Sequence, residues 1–194
     1  MANYNKRISD TLVRLGEVRF SYAHVFVPQE NDQGEEKYSV CVLIPKKDTD
    51  TVKLVEEAVE AAKQKGKASN WGGKIPAKCK SPLRDGDEDR PDDANYAGMY
   101  FINCNSRNKP GVRVLENGQV VEALGTEDFY SGCWGAVTLN FFPYGGAADK
   151  KAKGNLGVGA GLNNLIKTRD DERLAGGTDA DADFSDLGGD SELD

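Results

Sequence analysis

The chain of 194 residues contains one histidine and four cysteines, and both shortages narrow what it does. Cys41, Cys79, Cys104 and Cys133 stand at gaps of 38, 25 and 29 residues, with no Cys-x-x-Cys pair. Structural zinc sites use closely spaced ligand pairs, so no metal is expected. Three of these cysteines fall in strand-like runs and read as small buried hydrophobes. His24 is the single candidate for imidazole acid–base chemistry, and it lies in mid-strand. The chain has no Gly-x-Ser-x-Gly elbow, no phosphate loop of the Gly-x-x-x-x-Gly-Lys-[Ser/Thr] type and no His-Glu-x-x-His. No catalytic residue and no cofactor is therefore expected, and a small hydrolase is the least favoured class. No apolar run approaches the ~20 residues of a membrane span, and Met1 to Arg7 lacks the apolar core of a signal peptide. The expected setting is a cytoplasm, without a membrane partner.

Two stretches lack charge of one sign. The last 20 residues, Ala175 to Asp194, hold seven acids and no Lys or Arg. The whole chain has 25 bases against 32 acids, net −7, so everything before that tail balances at 25 and 25. The net charge is thus a property of the tail. Its composition, with only Phe184, Leu187 and Leu193 as large apolar residues, predicts disorder. Such a tail spans at most about 66 Å extended and about 25 Å as a flexible coil, enough to return to its own domain.

The second stretch is Lys63 to Arg84, which carries seven bases (Lys63, Lys65, Lys67, Lys74, Lys78, Lys80, Arg84), no acid, and Trp71 among glycines and polar residues. Cations that follow phosphates beside a ring that stacks on a base are what single-stranded nucleic acid binding uses. A solvated helix end and loop whose Trp covers part of the core fits the same residues. Asp85 to Asp93 follows with six acids and one Arg. Its sixth and twelfth positions, Arg90 and Tyr96, are wrong for a calcium loop, so it reads as a turn whose Asp side chains bond local backbone or neighbouring Lys.

Residues 17–28 and 37–45 are β-branched and aromatic with a polar turn between them, and predict two strands. Val52, Val55, Val59 and Ala62 recur at helical spacing behind Asp48 and Thr49, and predict one amphipathic helix over about 49–66. Residues 67–97 show no periodicity and read as a long surface insertion. Strand character returns at 98–106, 111–115, 131–144 and 155–168. Gly157, Gly159 and Gly161 alternate within the last of these, a pattern that permits a bend or a close backbone approach. The expectation is a mainly β chain: a five- or six-stranded, partly open Greek-key barrel of the OB type, with one helix. One domain covers 1–174 and the acidic tail covers 175–194.

Three motifs carry a resemblance: Pro82-Leu83-Arg84-Asp85-Gly86-Asp87-Glu88; Gly132-Cys133-Trp134-Gly135 leading to Asn140-Phe141-Phe142-Pro143-Tyr144; and Gly159-Ala160-Gly161-Leu162-Asn163-Asn164-Leu165. In this order, from residue 10 to about 175, they resemble the phage single-stranded DNA-binding proteins. The resemblance implies an OB-fold, sequence-tolerant binding of single-stranded DNA in phage replication and recombination, and action in the cytoplasm of a bacterial host. It also implies a disordered acidic tail that competes with DNA and recruits a phage or host polymerase, helicase or recombination protein. The tail residues concerned are Asp179, Asp181, Asp183, Phe184, Asp186, Leu187, Asp190, Glu192, Leu193 and Asp194. Tails of this kind often end on an aromatic residue; this one ends Ser191-Glu192-Leu193-Asp194.

The expected phosphate contacts are Lys63, Lys65, Lys67, Lys74, Lys78, Lys80 and Arg84. The expected stacking residues are Trp71 with Tyr22, Tyr100 and Trp134. The alternative is an interaction protein or inhibitor whose tail mimics DNA. Oligomeric state is left open, with a dimer as one option.

Overall fold

The computed structural model describes residues 3–146 and 154–174. The long β-branched and aromatic runs form the five strands of a closed barrel: β2 (Leu12–Glu30), β3 (Glu36–Pro45), β5 (Met99–Ser106), β8 (Trp134–Tyr144) and β9 (Gly157–Arg169). Between these lie the short strands β1 (Lys6–Arg7), β4 (Arg84–Asp85), β6 (Gly111–Glu116) and β7 (Gln119–Glu122). Antiparallel pairing runs β5–β3–β2–β8–β9, with Ile102 opposite Val42, Val42 opposite Phe20, Leu15 opposite Val137, and Val137 opposite Leu165. A parallel contact of β5 with β9 at Asn105 and Gly161 closes the ring. The first barrel strand thus lies between the second and the fourth, and the third runs parallel to the fifth.

Side chains alternate across each strand, so Val40, Val42 and Ile44 point inward with Phe20, Ile102, Cys104, Leu139, Phe141 and Leu165 and are buried. Cys133 joins the same core, and Cys41 is buried outside it.

Helix α1 (Thr49–Ser69) links the second and third barrel strands and packs on β8, β2 and β9. Asp48 caps it: its carboxylate accepts the Thr51 N–H at 3.2 Å and the Thr51 hydroxyl at 2.6 Å. Val55, Ala58, Val59 and Ala62 form one buried stripe. The helix passes Gly66, where the expected end lay, because Asn70 N–H still bonds to the Gly66 carbonyl at 2.8 Å. Glycine is needed there: a Cβ would stand 2.6 Å from the Trp71 ring and 2.7 Å from Pro143 Cβ.

Residues 67–97 form the long surface insertion expected, and backbone pairing fastens part of it to the barrel. Lys80 N–H bonds to the Leu156 carbonyl at 3.1 Å and Lys80 carbonyl accepts from Val158 N–H at 2.9 Å, while β4 pairs with β5 at Phe101 and Tyr100. Residues 80–85 therefore bridge β9 to β5 where the two diverge. A short helix, α2 (Gly86–Asp89), and a 3-10 turn at Ala94–Tyr96 follow.

Tyr96 is buried against Phe101, ring centroids 5.1 Å apart and edge to face, in a second apolar cluster with Cys41 and Leu43 on the outer side of the barrel. The acidic run forms the turn its composition suggests. Asp85 accepts Asp87 N–H at 2.9 Å, Asp87 accepts Gly98 N–H at 3.0 Å, and both accept Lys46 Nζ at 2.6 and 2.7 Å. The Lys46 ammonium holds both carboxyls below their ordinary 3.8.

Strands β6 and β7 make a hairpin that sequence reading half missed. Asn117 and Gly118 both have positive φ, 49° and 78°, as a two-residue turn requires. β6 runs parallel to β9 and widens the sheet.

Candidate nucleic-acid interface

Lys63, Lys65 and Lys67 lie on the last turns of α1, and Lys74, Lys78 and Lys80 on the loop after it. All but the half-buried Lys63 are exposed. Among the described residues none of these six makes an ion pair. Lys65 Nζ reaches Thr11 Oγ1 at 3.4 Å and Lys80 Nζ reaches Asn155 Oδ1 at 2.9 Å, both neutral acceptors. The end of α1 and the loop after it thus carry all six ammonium groups, with Lys80 tied directly to the start of β9.

Arg84, the seventh base of the run, differs. It pairs with Asp89 at 2.9 Å, and its guanidinium stands 4.9 Å from the Phe101 ring centre. Both contacts seat the 84–96 segment on the barrel.

Each of the four aromatic residues expected to stack has its own setting. Trp71 is half-buried against the core, wedged over Gly66, with its indole N–H toward the Tyr144 carbonyl at 3.4 Å; of its two readings, the cover over the core is the one its contacts fit. Tyr100 is half-buried on the core, with Lys46 Nζ 5.1 Å from its ring centre. Tyr22 is 55% exposed on β2 at positive φ and presents a usable ring.

Trp134 departs most from the expectation of a stacking surface. It is 9% exposed, Arg169 covers its ring at 4.6 Å, Arg19 lies 5.9 Å from the ring centre, and its N–H donates to Asp171 at 2.7 Å. The outward position of Trp134 on β8 brings it under residues 170–174, which fold back across the barrel.

These last described residues form a strap. Asp170 pairs with Lys167 at 2.7 Å and accepts the Tyr130 hydroxyl at 2.7 Å; Asp171 pairs with Arg19 at 3.6 Å. Leu174 N–H bonds to the Ser131 carbonyl at 2.9 Å, and its side chain packs on the Cys41–Leu43–Tyr96–Phe101 cluster. Asp170 is held below its ordinary 3.8 chiefly by Lys167, and Asp171 chiefly by the Trp134 indole N–H. The tail residues 175–194 lie outside the described residues.

Beyond the expected residues, β5 exposes Asn103 and Asn105 beside the half-buried Ser39 of β3. Phe142 of β8 is 42% exposed. In OB barrels the face of the second and third strands, together with the loops after the first and fourth, binds oligonucleotides. Here that face carries Ser39, Asn103 and Asn105, and the loop after β8 is rooted beside Trp71 and Lys80. The architecture is an OB-fold with a cationic flank.

The sequence profile of the family described as "Enterobacter phage Enc34, ssDNA-binding protein" matches residues 11–194, and the chain belongs to that family. Among solved structures it is similar to the single-stranded DNA-binding protein from bacteriophage Enc34 in complex with ssDNA. Identity is 25% and the TM-score 0.70, over 88% of this chain and 96% of that one. The same phage protein with a C-terminal truncation has the same fold, at 24% identity and TM-score 0.68 over 87% and 95% of the two chains. No curated protein sequence matches the chain.

Proposed function

We propose that this protein coats single-stranded DNA without regard to sequence, in phage DNA replication and recombination inside the host cytoplasm. The observation that carries the reading is the group of six lysines, 63 to 80, held beside an OB barrel without ion pairs among the described residues. The related Enc34 protein, whose complex with ssDNA has a comparable barrel, supports the same reading. Lys65, Lys67, Lys74, Lys78 and Lys80 contact phosphates, with Lys63 behind them, and Tyr22 is available to stack. The function needs no catalytic step and no cofactor. The acidic tail competes for the lysines as a phosphate mimic and offers Phe184, Leu187 and Leu193 to a replication protein.

Titration of a fluorescent oligo-dT at several salt concentrations tests the proposal. If about four phosphates are neutralised, log affinity falls against log salt with slope near −3. Equal affinity for duplex and single strand, or no binding at low salt, overturns it. Removing residues 175–194 tightens binding if the tail competes.

A further inference from the structure

Phe142 is a large apolar side chain that the barrel leaves 42% exposed. It points outward because its neighbour Phe141 fills the core, and alternation puts Asn140, Phe142 and Tyr144 on the opposite side of β8. Its cross-strand partner is Gly159. A Cβ on Gly159 would stand 2.7 Å from Phe142 Cζ and 3.0 Å from Cε2, and one on Gly161 would stand 3.7 Å from Cε1. The ring therefore lies across bare β9 backbone, and the missing side chains are what let it lie flat against the sheet.

Cations stand to either side. Asn140, two residues before Phe142 on the same face, accepts the Thr11 hydroxyl at 3.2 Å, and Lys65 Nζ reaches that hydroxyl at 3.4 Å. On the other side Gly157, opposite Tyr144, is bridged to Lys80. Neither lysine has an ion pair among the described residues. Beyond β9, Gly161 pairs with Asn105 of the exposed polar strip on β5.

We infer that Phe142, seated on Gly159 between Lys65 and Lys80, is a base-stacking platform for an unpaired nucleotide. An aromatic face with a cation at each side fits a base and its two phosphates, and it fits no folded apolar partner as well, because the surrounding residues are polar or charged. This rests on the proposed single-strand binding. The glycines are the support of the ring and the ring is the site.

Oligo-dT binding to the full chain is measured for wild type, Phe142→Ala, Phe142→Leu and Phe142→Trp, with thermal unfolding as a control. Phe142→Ala and Phe142→Leu weaken binding about 5- to 150-fold, the range of one lost stacked base. The salt slope stays that of wild type, since the ring carries no charge. Phe142→Trp binds as wild type, and its added emission is quenched by DNA. Leucine still covers Gly159, so a Phe142→Leu protein that binds within twofold of wild type shows a merely structural ring and overturns the inference while leaving single-strand binding intact. A wild-type protein that binds no single strand overturns both.

Discussion

Two groups of cations on this barrel have opposite fates. Around Trp134, Arg19, Lys167 and Arg169 are answered by Asp170, Asp171 and Glu17 from the same chain. Along α1 and its following loop, Lys63 to Lys80 have no such answer among the described residues. Both groups count equally in the 25 bases that balance the body, so bulk charge cannot tell them apart. Two unit charges about 10 Å apart in water repel by only about 0.4 kcal/mol. A solvated row of lysines is therefore tolerated at little cost and relieved when phosphates arrive. The first group holds the molecule's own shape, and the second is available to a ligand.

The sharpest way to break that contrast is to remove the unanswered charges. Lys67→Ala, Lys74→Ala, Lys78→Ala and Lys80→Ala together flatten the salt dependence of oligo-dT binding. They lower affinity at 50 mM salt on the order of 1,000-fold, the electrostatic share of about four phosphate contacts. Salt-dependent anisotropy titrations read both, and a slope that stays near −3 would place the phosphates elsewhere.

Next comes the self-satisfied side. A Cβ at Gly86 would press on the Tyr96 and Met99 carbonyls, so Gly86→Ala costs about 2 kcal/mol and lowers the unfolding midpoint by about 5 °C. Its salt slope for DNA remains that of wild type.

Releasing the strap with Asp170→Asn and Asp171→Asn leaves Lys167 and Arg19 without an acidic partner among the described residues, while Arg169 keeps Glu17. Binding tightens about three- to tenfold at low salt, while the unfolding midpoint falls, because the largely buried Lys167 and Arg19 lose their partners. Trp134 emission shifts as its indole N–H loses a charged acceptor.

The smallest effect is with pH. Asp170 and Asp171 are held below 3.8 in the folded state. Their stabilisation is therefore fully present above 3.8 and is lost only as pH falls through the lowered values. Trp134 emission is flat from pH 8 to about 5; a transition inside that window would show that the strap is held by something else.

Much of this barrel was legible from local pattern. Each barrel strand is a run of β-branched and aromatic residues, and α1 shows its buried stripe as Val55, Ala58, Val59 and Ala62. The turn at Asn117-Gly118 also carried its signal, two residues suited to positive φ, yet β7 was missed because Gln119–Glu122 is short and exposed. The order within 67–97 was illegible for a different reason. Its hydrogen bonds go to β5 and β9, which no periodicity within the segment records.

The placement of the lysines was legible because one helix end and the loop after it carry them all. The cover of Trp134 was not legible locally because Arg169 and Asp171 arrive from 35 and 37 residues downstream. Phe142 and Gly159 were both in view, but only the register of β8 against β9 sets one upon the other.

The stretch from Lys80 to Asp85 is at once a piece of the basic run and the seam of the barrel. Its backbone fills the interval between β5 and β9, while its first side chain stands among the candidate phosphate contacts. If DNA grips Lys80 as proposed, it pins the seam shut. Ligand at a hundred times its dissociation constant adds about 2.7 kcal/mol to the folded state. Part of that gain should appear as slowed exchange of the Lys80 and Val158 amides, so that the proposed coating of DNA would also fasten the protein that does it.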